Sequence, residues 1–183
     1  MTAFQQLPLR TERLLLRPLR ESDAAALYEI HADPTVMRYW SSPVWTSIDQ
    51  AHAAIARNVA GLASGEHLRL GLERLEDCTI IGHCSLFNLS SECRRAEIGY
   101  ALAASAWRQG YMNEALDALV RYGFAQLDLN RIEADVDPRN TASAAVLERL
   151  GFVREGLLRE RWVVSGEVSD SALYGLLRKD WRG

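Results

Sequence analysis

One glycine lies where a strand-like stretch gives way to a helix-like stretch. Residues 98–102 read as the end of a strand, and Gly110 precedes an amphipathic run that starts near Tyr111. The first N–H groups of a helix have no partner within it and carry the positive end of its dipole, so such a junction can bind a phosphate. A glycine would let the backbone approach the anion. More often, however, a single glycine before a helix only allows the chain to turn.

The glycine pattern excludes two common nucleotide sites. A dinucleotide-binding loop needs three spaced glycines, and a nucleoside triphosphate loop needs a Gly-Lys-Ser/Thr sequence. The chain contains neither pattern. Nicotinamide and nucleoside triphosphate chemistry are therefore not indicated.

Composition places the chain among globular proteins. Its 183 residues are 48% hydrophobic and 25% charged, which predicts one domain over residues 1–183. Lys and Arg total 21 against 24 Asp and Glu, a net charge of −3. No basic excess is available for a phosphate backbone, so nucleic acid is not expected as a direct partner.

Cysteine content and the terminal sequence predict a cytoplasmic protein. Cys78, Cys84 and Cys93 are odd in number and contain no Cys-x-x-Cys pair, which disfavours a disulfide framework or a zinc site. Residues 1–6 lack the basic flank and apolar run of a signal peptide, and no apolar stretch approaches the ~20 residues of a membrane span. We expect no metal and no membrane partner.

Hydrophobic periodicity and turn residues predict seven strands and four helices. The strands are expected at 13–18, 67–73, 79–88, 95–102, 131–136, 152–159 and 172–177, and the helices at 22–31, 47–63, 112–127 and 141–150. The strand–helix–strand succession around residues 95–136 implies a right-handed crossover and one parallel pair. The order βααβββαβαββ predicts an α/β or α+β sandwich with a mixed sheet.

Several ordered motifs together resemble one family. They are residues 11–18, 107–115, 130–143 and 146–152, and 173–177 with Trp181. The chain resembles the GNAT superfamily of acetyl-CoA-dependent N-acetyltransferases, and within it the RimJ/RimL-like branch, which acetylates N-terminal amines of ribosomal proteins. The resemblance implies a mixed, mostly antiparallel sheet of seven strands with about four helices, whose fourth and fifth strands, here 95–102 and 131–136, splay around coenzyme A.

The resemblance also implies a set of coenzyme A contacts. In this family the pyrophosphate lies on main-chain amides of a Q/R-x-x-G-x-G/A loop. Trp107 stands at the Q/R place, Gly110 at the first glycine and Met112 at the last small position, so two of the three side chains differ. The implied cofactor-binding residues are Tyr100, Leu102, Arg108, Gln109, Gly110, Tyr111, Met112, Asn113, Asn140 and Ser143. Helix capping is the alternative explanation for both Asn140 and Ser143.

Acid and base roles are assigned by the same resemblance. Leu147 stands where many members have an acidic tyrosine, so Ser143 or a water is expected to protonate the leaving thiolate. A free thiol has a pKa of about 8.5, which makes that demand modest. Glu97 is the first candidate base because it shares a strand face with Gly99, and Asp135 and His83 follow. The alternative explanation is that Glu97 is an ordinary strand carboxylate, exposed to solvent or in a salt bridge, without a catalytic role.

Four aromatic residues are candidates for the acceptor pocket, and core or lid packing is their alternative explanation. They are Tyr39, Trp40, Trp45 and Trp162. Three other histidines, His31, His52 and His67, are expected to be ordinary surface residues.

The sequence thus predicts an acetyl-CoA-dependent N-acetyltransferase. It would transfer acetyl to a primary amine, with a protein or peptide N-terminus favoured, by direct attack in a ternary complex. One alternative is a non-catalytic acyl-CoA-binding sensor or interaction module on the same fold. Another is an enzyme for small amines such as polyamines or antibiotics. The resemblance is also compatible with a homodimer.

Overall fold

The computed structural model describes residues 4–183. Residues 1–3 lie outside the described residues, and they include part of the segment 1–6 from which no signal peptide was predicted. The strands are β1 Leu9–Arg10, β2 Leu14–Arg17, β3 Leu68–Arg74, β4 Ile80–Ser90, β5 Arg95–Leu102, β6 Arg131–Val136, β7 Val153–Val164 and β8 Glu167–Leu177. The helices are α1 Ala24–Ala32, α2 Asp49–Ser64, α3 Tyr111–Ala125 and α4 Thr141–Arg149.

The described strands form one mixed sheet in the order β1-β2-β3-β4-β5-β6-β8-β7. Every neighbouring pair is antiparallel except β5 and β6, which confirms the predicted fold class and its single parallel pair. The sheet has eight strands where the sequence suggested seven. The additional strand, β1, has two residues, and that is too short to show a periodicity.

The parallel strands β5 and β6 separate after three residue pairs. Arg95, Ala96 and Glu97 pair with Arg131, Ile132 and Glu133, and no later residues of the two strands pair. Both strands continue beyond that point, β5 to Leu102 and β6 to Val136. Each strand therefore presents main chain along a free edge, and the two edges face one opening. The predicted splay lies here.

Two pairs of helices cover opposite faces of the sheet. Along β4 the side chains alternate, so His83 meets α1 while Cys84 and Leu86 join the main core, which contains α3. That core includes Leu116 and Leu119 of α3 and Leu147 of α4. A second, smaller apolar cluster joins α1 to α2. We call the side of α1 and α2 the acceptor face and the side of α3 and α4 the α3/α4 face.

A buried ion network sets the start of α1. Arg17 binds Asp23 and Glu73, and the Asp23 carboxylate also accepts the Arg20 N–H at 2.7 Å. A tight turn over Glu21–Asp23 precedes the helix, which begins at Ala24. The helix therefore begins two residues later than the predicted start at residue 22, because the buried Asp23 occupies the N-cap position and couples the turn to β2 and β3.

No helix within residues 4–183 combines the length and apolar character that a membrane crossing requires.

Candidate active site

The loop before α3 carries a row of free main-chain donors. Gly110 is the N-cap of α3 with a φ of +82°, and Arg108 has a φ of +61°. Among the described residues, the N–H groups of residues 108–113 have no acceptor. A helix start leaves the first few donors free, but here the row extends three residues upstream of the helix. Such a row at the positive end of the α3 dipole fits a pyrophosphate.

Arg13 and Glu114 fasten this loop to strand β2. Glu114 accepts hydrogen bonds from Thr11 Oγ1 at 2.6 Å, Arg13 N at 2.8 Å and Arg13 Nε at 2.7 Å. Although burial opposes ionisation, the bonds from Thr11 and Arg13 lower the Glu114 pKa. Arg13 also donates to the Gln109 carbonyl at 2.9 Å and lies over the Tyr111 ring. Its role was missed from sequence because Arg13 and Glu114 are 101 residues apart.

Tyr100 and Ser143 form a hydroxyl pair on the α3/α4 face. The Tyr100 Oη lies 2.6 Å from the Ser143 Oγ, and burial raises the pKa of Tyr100 to about 12. The Asn140 side chain accepts the Ser143 N–H at 3.1 Å, so the capping role weighed for Asn140 is present. Tyr100 lies beyond the last β5–β6 pair. Two hydroxyls that can pass a proton between them therefore stand beside the opening.

Glu97 lies on the acceptor face within the paired part of β5. Its Oε1 accepts a hydrogen bond from Asn88 Nδ2 at 2.9 Å, and its own strand pair is Glu133. Gly99 follows on the same face, where Ser85 Oγ donates to its carbonyl at 3.2 Å. A Cβ on Gly99 would lie 3.1 Å from the Phe87 ring, so this is a close approach. The β4–β5 irregularity falls between Phe87 and Ser90 rather than at Gly99.

Asp135 of β6 and Trp162 of β7 come together over strand β8, on one side of the opening. Asp135 is two residues beyond Glu133, the last residue of β6 to pair with β5. Its Oδ1 accepts bonds from Ser171 Oγ and, at 3.4 Å, from Trp162 Nε1. The nearest cation to Oδ2 is Arg161, with its Nε 3.9 Å away. Oδ1 thus accepts two hydrogen bonds, and Oδ2 has a long ion pair but no hydrogen bond among the described residues.

The aromatic loop of residues 39–45 rests on a pair of buried histidines. His31 and His83 approach at 2.9 Å between their Nε2 atoms, and Trp45 stacks on His31 with ring centroids 4.2 Å apart. Trp40 meets both imidazoles edge-on. The expectation that His31 is a surface residue is wrong, since it is 4% exposed. A buried imidazole packed between rings is also poorly placed to receive a substrate proton, which weakens His83 as a base.

Burial keeps this histidine pair neutral. Burial and the charge of Arg69 lower the pKa of His31 to about 4. Burial, Arg69 and His31 also lower the pKa of His83 well below its usual range. Both Nδ1 atoms are buried with no hydrogen-bond partner among the described residues. The stack therefore fixes the aromatic loop to β4 through neutral rings.

Tyr39 lies apart from this stack, in a charged cluster at the rim of the acceptor face. Its ring is 37% exposed and lies beneath the guanidinium groups of Arg38 and Arg139. Glu167 binds both arginines, and Asp137 binds Arg139. The structure thus brings Trp40 and Trp45 together and places Tyr39 and Trp162 at two other points.

The remaining predicted residues have structural contacts of their own. The Leu102 carbonyl accepts the Trp107 indole N–H at 2.7 Å. Met112 is buried in the main core, and Asn113 has a buried Oδ1 with no partner among the described residues. Leu147, where the family resemblance implied a tyrosine, is fully buried and belongs to the main core. No group of three or more potential metal ligands occurs within residues 4–183.

A parted parallel strand pair, a free row of amides at a helix start and a hydroxyl pair between them define a scaffold for acyl transfer from coenzyme A. A family model described as "Acetyltransferase (GNAT) domain" matches residues 13–153. The chain belongs to the GNAT acetyltransferases and is an acetyl-CoA-dependent N-acetyltransferase.

Known proteins are similar over nearly the whole chain. An uncharacterized N-acetyltransferase, p20 of Bacillus licheniformis, is 37% identical over 96% of this chain and 98% of its own length. The Escherichia coli [ribosomal protein uS5]-alanine N-acetyltransferase is 29% identical over 94% and 92%. A structure of Mycobacterium smegmatis RimJ with CoA-disulfide superposes with a TM-score of 0.82 at 29% identity, covering 91% of this chain and 82% of that one.

Proposed function

We propose that this enzyme acetylates the α-amino group of a protein or peptide N-terminus. The observation that carries the proposal is the division of the site. A row of free amides and the Tyr100–Ser143 hydroxyl pair occupy the α3/α4 face, while the carboxylates of Glu97 and Asp135 occupy the acceptor face. The opening between β5 and β6 joins the two faces. A thioester held from one face can there meet an amine from the other.

The amide row would hold the coenzyme A pyrophosphate, and the free edge of β5 would pair with the pantetheine arm. Acetyl-CoA supplies the thioester acetyl group. The residues of this chain bring the amine and the thioester together and aim main-chain donors at the opening, which reduces the entropy cost of the encounter. Tyr100 supports Ser143 as the hydroxyl that gives a proton to the departing sulfur. With its pKa raised to about 12, Tyr100 stays a donor at neutral pH.

The acceptor class is supported by amine chemistry and by one relative. An α-amine has a pKa of about 7.7–8.0 and is partly neutral near pH 7.5, whereas a lysine amine has a pKa of about 10.4. A site whose base is a carboxylate therefore suits an α-amine better than a lysine amine. One relative, the Escherichia coli enzyme, carries in its name the alanine of ribosomal protein uS5.

A thiol-release screen tests the proposal. Acetyl-CoA is mixed with the protein and with one amine at a time: short peptides with free N-termini, the same peptides N-acetylated, lysine side-chain models and spermidine. We expect free thiol with the peptides that have free N-termini. Release with spermidine alone would assign the enzyme to small amines. No release with any amine, together with retained acetyl-CoA binding, would support the non-catalytic alternative.

A further inference from the structure

Asp135 is the first carboxylate of β6 beyond the last β5–β6 pair on the acceptor face, where the two strands part. Glu97 and Glu133 form the last β5–β6 pair on this face, and Asp135 is the next outward-facing residue of β6. The corresponding residue of β5 is Gly99, which has no side chain to fill the space opposite. Glu97 lies two residues further back, about 6.6 Å along the strand.

The Asp135 carboxylate accepts hydrogen bonds on only one of its two oxygens. Ser171, which is fully buried, and Trp162 both donate to Oδ1. Oδ2 has no hydrogen bond among the described residues, and the Asp135 side chain is 24% exposed. Oδ1 is thus fixed by two hydrogen bonds, whereas Oδ2 has only a long ion pair with Arg161 Nε at 3.9 Å and can accept a donor from solvent or from a ligand.

The neighbouring carboxylates are engaged elsewhere. Glu133 accepts from Arg131 on one oxygen and from Arg95 on the other. At the far rim, Asp137 is bound by Arg139.

On the neighbouring strands, Asp170 of β8 accepts the main-chain N–H of Glu160, and Arg161 of β7 is the cation nearest to Asp135. Among these charged groups, Asp135 has a carboxylate oxygen, Oδ2, without a hydrogen bond, and it also lies beyond the last β5–β6 pair.

We propose that Asp135 binds the ammonium group of the acceptor through Oδ2 and takes its proton, with Trp162 and Ser171 as positioning residues. This inference rests on the proposed N-acetyltransfer. The amine nitrogen forms a bond to the acetyl carbon, the carbon–sulfur bond breaks, and the sulfur is protonated from Ser143. Nitrogen loses two protons in all. One proton passes through Asp135 to solvent. The other replaces, through solvent, the proton that Ser143 gives to the sulfur.

The test compares binding as well as turnover. Calorimetry measures the affinity of a short alanine-starting peptide and of its N-acetylated form for the wild type, Asp135→Asn and Glu133→Gln. We expect the wild type to prefer the free amine by about tenfold or more, as for a charge-assisted hydrogen bond. Asp135→Asn should lose that preference, and the matched change Glu133→Gln, on the same strand face, should keep it.

Turnover at two pH values separates a base from a binding group. At pH 6.5, where the α-amine is mostly protonated, Asp135→Asn should lower kcat/KM for the peptide about ten- to a hundredfold, with a much smaller loss at pH 9. An Asp135→Asn protein that keeps both the peptide preference and the rate would overturn the assignment, as would the same losses appearing in Glu97→Gln instead. Absence of thiol release from the wild type with every amine would overturn the proposed function itself.

Discussion

The Tyr100 hydroxyl lies 2.6 Å from the Ser143 hydroxyl, and this bond joins the parted strand β5 to helix α4. Tyr100 is 43 residues from Ser143 in sequence. Leu147, where the family resemblance implied a tyrosine acid, is buried in the core. In the proposed mechanism, the acid side of the reaction depends on two hydroxyls from different elements. Variants that remove one hydroxyl at a time separate the contributions of Tyr100 and Ser143 to turnover.

Ser143→Ala should lower turnover by about ten- to a thousandfold and leave acetyl-CoA affinity nearly unchanged, because the variant loses a proton donor but no pyrophosphate contact. Tyr100→Phe should cause a smaller loss, because the serine hydroxyl remains. Steady-state kinetics and acetyl-CoA titration give the two readings. Full turnover in Ser143→Ala would make Ser143 a helix-capping residue and leave water as the acid.

Gly110→Pro should abolish the rise in melting temperature that acetyl-CoA gives the wild type. Proline removes one N–H from the amide row and cannot adopt the φ of +82° found there. Gly166→Pro is the control, since Gly166 has a φ of +84° in the turn between β7 and β8, far from the loop in sequence. A folded Gly110→Pro protein that binds acetyl-CoA normally would contradict the loop assignment.

Arg13→Ala should weaken acetyl-CoA binding by about ten- to a hundredfold, because the loop loses a charged donor to the Gln109 carbonyl and the partner of Glu114. The KM for the amine should stay the same. Arg121→Ala, which breaks an exposed ion pair within α3, is the matched control. Equal affinities in Arg13→Ala and the wild type would show that the loop holds its shape without this clasp.

Stability should fall between about pH 6.5 and pH 4 because of the histidine pair. An unfolded histidine takes up a proton near pH 6.5, whereas burial and Arg69 lower the pKa of folded His31 to about 4. The unfolded chain binds more protons in that window, so the free energy of unfolding decreases as the pH falls, by about 3 kcal/mol for His31.

Urea unfolding at a series of pH values measures this dependence. The double variant His31→Gln/His83→Gln should show a flatter slope than the wild type, whatever its absolute stability. His52→Gln, which changes an exposed histidine, should keep the wild-type slope. A slope unchanged in the double variant would place the acid sensitivity in other groups.

Local patterns predicted the four helices and seven of the eight described strands. The alternation of Ile132, Ala134 and Val136 against polar neighbours identified β6, and the three- and four-residue spacing of apolar side chains identified α3. The two-residue β1 was missed, and the last two strands extend beyond their predicted bounds to form a longer hairpin. Short edges and hairpin ends depend on pairing partners that a local pattern does not show.

The site was predicted in part, and the misses have physical causes. Glu114 and Arg13 meet only because β2 packs beside α3, and no local spacing connects them. His31 is different, because it shares a helix face with Leu27 and Ala24, at spacings of four and seven residues. That spacing already indicates that residue 31 is buried. The prediction of an exposed side chain rested instead on the polar character of histidine.

The central claim is that the enzyme moves an acetyl group to an α-amine. The most direct measurement is tandem mass spectrometry of one peptide that begins with alanine and contains an internal lysine, after incubation with acetyl-CoA and the protein. We expect a mass increase of one acetyl group on the N-terminal nitrogen, at a rate that levels off above about pH 8, the pKa of the α-amine. Acetylation of the lysine in preference to the N-terminus, or an unmodified peptide, would contradict the account.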